Sequence, residues 1–191
     1  MPLQARQPFD FDEYIEREES DSLKHEFLDG SVWAMAGGSP RHAAIASRIG
    51  RLVGRALDGH RCEVFSSDLR VRVTETGLAT YPDLSVICDR IELDPEDRHG
   101  HTATNPTLLV EVLSPSTEAY DRGEKLAHYK RIAALREVML VAHDERRIDL
   151  WRRTPHGWTQ LSFRAGEQVV LESLHGIEIS VDDVYFDPLA S

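Results

Sequence analysis

The chain has 191 residues, 41% of them hydrophobic and 29% charged, with a formal net charge of -11. A chain this long buries roughly 70% of its unfolded surface and folds without a disulfide or metal staple, and its composition excludes disorder as the dominant state. No apolar run approaches the ~20 residues that span a bilayer, and the acidic start MPLQARQPFDFDEYIEREES has no signal-peptide core. The expectation is a single cytoplasmic domain, 1–191. Cys62 and Cys88 form neither a disulfide framework nor a metal-ligand spacing, so they read as free, buried thiols. The acidic total argues against an ordinary DNA-coating protein. Residues 41–72 (net +4) and 120–153 (net +3) are nevertheless basic islands, which leave an anionic ligand permitted.

In chain order, HEFL and SVWAMA flank Asp29-Gly30, the signature of a hairpin. Gly37-Gly38 reads as loop, Ser39 as N-cap and Pro40 as the first residue of a helix to about Leu57. Ile45, Ile49, Leu52, Val53 and Ala56 share one face of that helix, and His42 falls on the same side. Arg41, Arg48, Arg51 and Arg55 form a basic stripe opposite, which is either a solvated face or a row of phosphate contacts. Strands follow at Cys62–Phe65, Leu69–Val73 (with Arg70 and Arg72 alternating), Leu84–Cys88 and Leu108–Leu113. Residues 89–106 read as a charged, mobile loop. A helix is expected from Asp121 to Leu135. The remainder reads as β-rich: Val138–Ala142, Ile148–Trp151, Trp158–Phe163, Val169–Leu171 and a short tail near Val184–Phe186. Together these make an α/β fold, a mixed sheet with helices packed on it.

Two strands carry a carboxylate where an apolar residue is expected. Asp83 heads one, after Pro82, and Glu111 lies inside LLVEVL. Burying a lone carboxylate costs several kcal/mol unless a cation or hydrogen bonds compensate. On neighbouring strands the pair would form a hard-oxygen pocket suited to Mg²⁺. Alternatively, one or both acids pair with an Arg at the sheet edge.

The ordered set EFLDG, His42, P-D-L-S-V-I, then E-V-L-S-P-S-T and D-R-G-E-K-L-A-H-Y resembles the PD-(D/E)xK nuclease superfamily. More closely it resembles the Uma-type family of restriction endonucleases, formerly catalogued as a domain of unknown function. The resemblance covers about Phe11 to Phe186. It implies a restriction-endonuclease-like core, with a central mixed sheet, flanking helices and an added C-terminal β meander. It also implies a Mg²⁺- or Mn²⁺-dependent endonuclease, with DNA the favoured substrate. Asp83, Glu111 and the Val112 backbone carbonyl would hold the metal. The superfamily pattern puts Lys two residues after the second carboxylate, where this chain has Leu113; Lys125 is the candidate replacement, with Tyr129 one turn on.

Glu26, His42 and Asp121 are accessory candidates: Glu26 as a further ligand or an Arg partner, Asp121 as a holder of Lys125 or a helix cap. Arg41, Arg48, Arg51 and Arg55, or Arg70 and Arg72, would contact backbone phosphates. Cutting both strands would call for a two-fold dimer, with the C-terminal meander as interface. Against this stand two other readings. One is an inactive nuclease-like binding module, favoured by Leu113 and the net charge; the other is a hydrolase of smaller phosphorylated or carboxylate substrates. His99-Gly100-His101 is assigned no role, and Trp33, Trp151 and Trp158 read as core or interface.

Overall fold

The computed structural model describes residues 9–35 and 37–189. The chain enters through a helix that the sequence reading passed over, α1 (Phe11–Ser20). Asp10 caps it: its carboxylate accepts from the Glu13 N–H at 2.8 Å, and Glu13 accepts in turn from the Asp10 N–H at 3.0 Å. The expected hairpin follows as β1 (His25–Leu28) and β2 (Ser31–Ala34). Asp29 and Gly30 both take positive φ, 48° and 79°, as a two-residue hairpin turn requires. The hairpin's expected end, Ala36, lies outside the described residues. Next comes α2 (Pro40–Ala56), where the Ser39 hydroxyl accepts from the His42 N–H and Pro40 begins the helix as read.

Six strands come next: β3 (Cys62–Ser66), β4 (Arg70–Val73), β5 (Leu78–Thr80), β6 (Leu84–Cys88), β7 (Thr102–Ala103) and β8 (Leu108–Val112). The crossover to the next strand is helical over 118–129. It comprises α3 (Glu118–Tyr120), a π turn at Asp121–Lys125 and α4 (Leu126–Tyr129). Then come β9 (Glu137–Val141), β10 (Arg147–Thr154), β11 (Gly157–Arg164), β12 (Gln168–Leu171), β13 (Ile177–Ser180) and α5 (Val181–Tyr185).

The strands form a five-stranded sheet, β2-β1-β5-β4-β7, and a six-stranded sheet, β11-β10-β9-β8-β6-β3, with β12-β13 as a separate hairpin. β8 and β9 run parallel, as a helical crossover allows, while the other neighbours in the six-stranded sheet are antiparallel. Alternation along β8 decides the layering. Leu108, Val110 and Val112 pack with Ile45, Ile49 and Val53 of α2, and with Val169, Leu171 and Ile179 of the C-terminal hairpin. Leu109 and Leu113 pack the other way, with Val71, Val73 and Leu78 of the five-stranded sheet and Leu126 and Tyr129 of the crossover. On the far side, α1 lays Phe11, Tyr14 and Ile15 over Phe27 and Ala79. The two sheets therefore face each other across a core, and Glu111 lies on the side of β8 that points into it.

Several expectations are corrected. The crossover helix stops at Tyr129, not Leu135. Arg153 reaches across from β10 and donates to the Lys130, Ile132 and Leu135 carbonyls at 2.7–3.0 Å, so the chain turns there with its acceptors satisfied. Of the tail near Val184–Phe186, Val184 and Tyr185 belong to α5, whose first turn is capped by the Ser180 hydroxyl, and Phe186 follows it. Cys62 and Cys88 are not free thiols. The β3–β6 register sets them directly opposite each other, and their sulfurs are joined as a disulfide.

Segment 89–106 is pinned, not mobile. Arg70, 2% exposed, donates to Thr102 Oγ1 at 2.7 Å, to the Tyr81 hydroxyl at 3.0 Å and to Asp97 Oδ2 at 3.0 Å. Arg72 donates to Asp94 at 3.2 Å and to Glu96 at 2.7 Å. Both arginines therefore serve the fold and are withdrawn from the phosphate-contact set. Burial alone would raise the Asp97 carboxyl, but hydrogen bonds from Thr102 and Arg70 outweigh it and hold it at about 2. The unfolded chain then binds the Asp97 proton more readily than the folded one. The Arg70–Asp97 network is expected to contribute about 2 kcal/mol above pH ~4 and to lose it as pH falls toward ~2. Urea unfolding of the wild type beside Asp97→Asn checks this: their difference in midpoint should shrink from pH 7 to pH 3, and a constant difference would refute it.

Candidate active site

The carboxylates read from the sequence meet at one end of the six-stranded sheet. Leu84 pairs with Val110, so Asp83 lies beside Glu111, and Asp83 Oδ2 accepts the Val112 N–H at 2.7 Å. That bond ties the start of β6 to the end of β8. From the other side, α2 brings His42 Nε2 to 3.2 Å from the same Asp83 oxygen, and the Val112 carbonyl also faces the ring. The hydrogen bond to Asp83 raises the His42 imidazole above its ordinary value, against the pull of partial burial.

Glu111 is buried, and its Oε1 takes two donors. The Tyr129 hydroxyl lies 2.5 Å away and the Lys125 ammonium 3.0 Å away. The same ammonium lies 2.9 Å from Glu26 Oε1 on β1 and 3.8 Å from Asp121 Oδ1. Burial pulls Lys125 down, but Glu111, with Glu26 and Asp121, outweighs it and keeps the amine protonated. Burial likewise pushes the Glu111 carboxyl up, to about 8, with Lys125 as the main counterweight and Asp83 and Asp121 adding to the rise. One cation thus serves a crowd of acids, and Glu111 carries its charge reluctantly.

Lys125, the residue expected to replace the missing cation, is placed against Glu111 and Glu26. Leu113 is fully buried in the inter-sheet core, while the crossover returns Lys125 to Glu111 from outside the strand. The π turn makes the return, and Gly123 in its middle is the sequence signal that a regular helix is interrupted. Glu26, His42, Asp121 and Tyr129 all join the cluster. Sequence reasoning missed Thr80 and Trp33, whose hydroxyl and indole N–H both donate to Glu26, the latter at 3.1 Å. It also missed the Val112 N–H as the partner of Asp83. Of the basic stripe, Arg41, Arg51 and Arg55 are exposed, whereas Arg48 donates to the Val184 carbonyl at 2.9 Å.

Among the described residues no three His, Cys, Asp or Glu side chains already surround one metal position. The donor chemistry nevertheless suits a hard divalent ion. Glu111 Oε2 and Asp83 Oδ1 accept from no protein donor among the described residues, and the Val112 carbonyl, which faces His42, is the next oxygen along β8.

Residues 11–182 match the Uma2 family, whose description is "putative restriction endonuclease". The chain belongs to that family. A relative in Synechocystis sp. strain PCC 6803, uncharacterized protein slr1290, is 41% identical over 91% of this chain and 90% of its own length. A second from the same organism, uncharacterized protein sll1609, is 30% identical over 84% and 89%. The fold matches the crystal structure of a putative nuclease belonging to DUF820 from Anabaena variabilis ATCC 29413, with a TM-score of 0.70 at 18% identity, covering 90% of this chain and 96% of that one. This Uma2 member therefore shares the fold of that putative nuclease.

Removing Lys125 should expose how much the cluster depends on it. Lys125→Met leaves Glu26 and Glu111 buried without their cation and is expected to cost roughly 3–5 kcal/mol. Glu26→Gln keeps a carbonyl acceptor for only one of the two donors, Thr80 at Oε1 or Trp33 at Oε2, but removes a buried charge and should cost less. Chemical denaturation of both variants measures the order, and a near-neutral Lys125→Met would mean that the ammonium does not hold the cluster.

Proposed function

We propose that this Uma2 protein is a metal-dependent endonuclease that hydrolyses phosphodiester bonds of nucleic acid, with DNA the favoured substrate. The observation that carries the reading is Glu111, a buried carboxylate near the end of β8 with one oxygen held by Lys125 and Tyr129, the other without a protein donor among the described residues, and Asp83 opposite it across the β6–β8 ladder. Asp83, Glu111 and the Val112 carbonyl would hold Mg²⁺ or Mn²⁺. A bound ion would lower the pKa of its water and neutralise charge developing on the phosphate.

The remaining steps belong to the chain. Tyr129, by fixing Glu111 Oε1, sets the direction in which Oε2 points. His42 and the Val112 N–H do the same for Asp83. Lys125 supplies a fixed positive charge at the Glu111 edge, where it can orient the attacking water or a phosphate oxygen. Attack proceeds in line with departure of the 3′ oxygen. Arg41, Arg51 and Arg55, exposed along the helix that carries His42, would contact backbone phosphates on either side of the cut.

The rival reading is a binding module that no longer cuts. What favours it is the near-complete burial of Lys125, 4% exposed, in ion pairs that already satisfy it. Calorimetric titration with Mn²⁺ and Mg²⁺ separates the two. The wild type should bind, and Asp83→Ala and Glu111→Ala should each abolish binding. Absence of binding by the folded wild type would favour the module. With a cleavable DNA in hand, Lys125→Arg is expected to lose about 10²-fold or more in rate.

Cleavage of both strands also calls for two sites, and a two-fold dimer would supply them. Within the C-terminal meander, β12-β13 is the less suitable part, because its Val169, Leu171 and Ile179 are buried in the core of their own chain. The open edge of β11 is the better surface. Light scattering should then give twice 21.6 kDa at micromolar concentration; a monomer mass would remove the dimer from the proposal.

A further inference from the structure

Far from the carboxylates, four side chains of a different chemistry gather at the other end of β6. Cys62 and Cys88 face each other across the β3–β6 ladder with Cα atoms 3.9 Å apart. The His175 ring sits over them, its Nε2 4.0 Å from Cys62 Sγ. His60 stacks on His175, with ring centroids 4.1 Å apart and planes 19° from parallel. Both cysteines are half-buried and both histidines exposed. Neither imidazole has a hydrogen-bond partner among the described residues beyond that one sulfur contact. Three separate parts of the chain converge here: the turn after α2, the edge strand β3 with its neighbour β6, and the turn before β13.

We propose that the reduced chain binds one zinc-class divalent ion through Cys62, Cys88, His60 and His175, and that the disulfide is the closed, metal-free alternative of the same site. Two thiolates and two imidazoles are the donor set of tetrahedral zinc sites, and soft sulfur selects against Mg²⁺. The backbone around the sulfurs is already braced. The Asp89 N–H donates to the Arg61 carbonyl just beyond the pair, and the β3–β6 ladder runs away from it. On reduction the two sulfurs must part from bonding distance and the two exposed rings must turn out of their stack.

The exchange balances. A dithiol reductant breaks the S–S bond, is itself oxidised to a disulfide, and leaves two thiols; the metal then enters as both thiols release their protons. In a reducing compartment the thiol form, and hence the metal, is favoured. In either state the end of β6 is clamped to the edge strand, once by a covalent bond and once by coordination. Asp83 lies five residues back from Cys88 along the same strand, about 16 Å at the usual strand rise, so this site shares no ligand with the carboxylate cluster.

Cobalt(II) titration of the full-length chain is the test, because cobalt reports coordination directly. With dithiol reductant present, the wild type should take up one equivalent with intense visible bands of tetrahedral cobalt and a thiolate-to-cobalt charge-transfer band, and added Zn²⁺ should bleach them. Without reductant neither band should appear. Cobalt on the oxygen-rich carboxylate cluster gives no thiolate band, so a failure of the nuclease reading leaves this result untouched. His60→Ala and His175→Ala, both on the surface, should each weaken binding roughly tenfold or more. Cys62→Ser with Cys88→Ser should abolish the charge-transfer band. The proposal is overturned if the reduced, folded protein shows no thiolate–cobalt band, if the band survives loss of both histidines unchanged, or if the oxidised protein binds equally well.

Discussion

A single buried ammonium joins the two sheets. Lys125 reaches Glu26 from the five-stranded sheet and Glu111 from the six-stranded one, and it comes from the crossover between β8 and β9. Each of these charges would be intolerable in the interior alone, and together they satisfy one another with Tyr129, Thr80 and Trp33. The cluster also fixes register. Slipping β8 by one residue would turn Glu111 toward Ile45 and Ile49 of α2, where no cation waits, and would bring Val110 or Val112 to the ammonium. Well-packed hydrophobic residues often stabilise an interior as much as an ion pair does. That Glu26, Glu111 and Lys125 are buried together between the sheets therefore argues for a chemical use.

The position of the cation has a structural consequence. A Lys two residues beyond Glu111 would lie on the strand itself. Here that residue is Leu113, and it fills the inter-sheet core with Leu109 and Leu140. Moving the charge to the crossover frees the strand to pack, but makes the site depend on how 118–129 is wound. The π turn is the means: it carries Asp121 and Lys125 together and sets Tyr129 beyond them against Glu111. Small rearrangements of this turn would move the ammonium relative to the carboxylates without disturbing either sheet.

Much of this could be read in the sequence wherever local rules and spacing suffice. Asp29-Gly30, Ser39-Pro40 and the apolar face of α2 each specify their element by themselves. Asp83 and Glu111 stood out because a carboxylate in an apolar strand demands a partner. The partners themselves are long-range, and that is where the reading stopped. Arg70 and Arg72 alternate as a half-buried strand should, yet Asp97 and Asp94, the acids that bury them, sit on a segment that looks like solvent-exposed loop. The 4-residue spacing of Asp121, Lys125 and Tyr129 reads as α-helix, and only Gly123 hints at the wider turn. The opposition of Cys62 and Cys88 is a matter of β3–β6 register, which 26 intervening residues do not reveal.

α2 binds the local and the long-range features together. Its first turn places His42 against Asp83 and the Val112 carbonyl, while the exposed Arg41, Arg51 and Arg55 extend along its length. In a chain of net charge -11, a polyanion would be repelled from most of the surface, so approach is confined to the few places where positive potential is local. A helix that contacts a carboxylate of the candidate site at one end and carries guanidinium groups along its outer face is such a place. The orientation of a bound strand would then follow from the helix axis, and its depth from His42. The same helix anchors on β8 and β6 through Ile45, Ile49 and Val53, so the charged face and the carboxylates are held in fixed relation by the core itself.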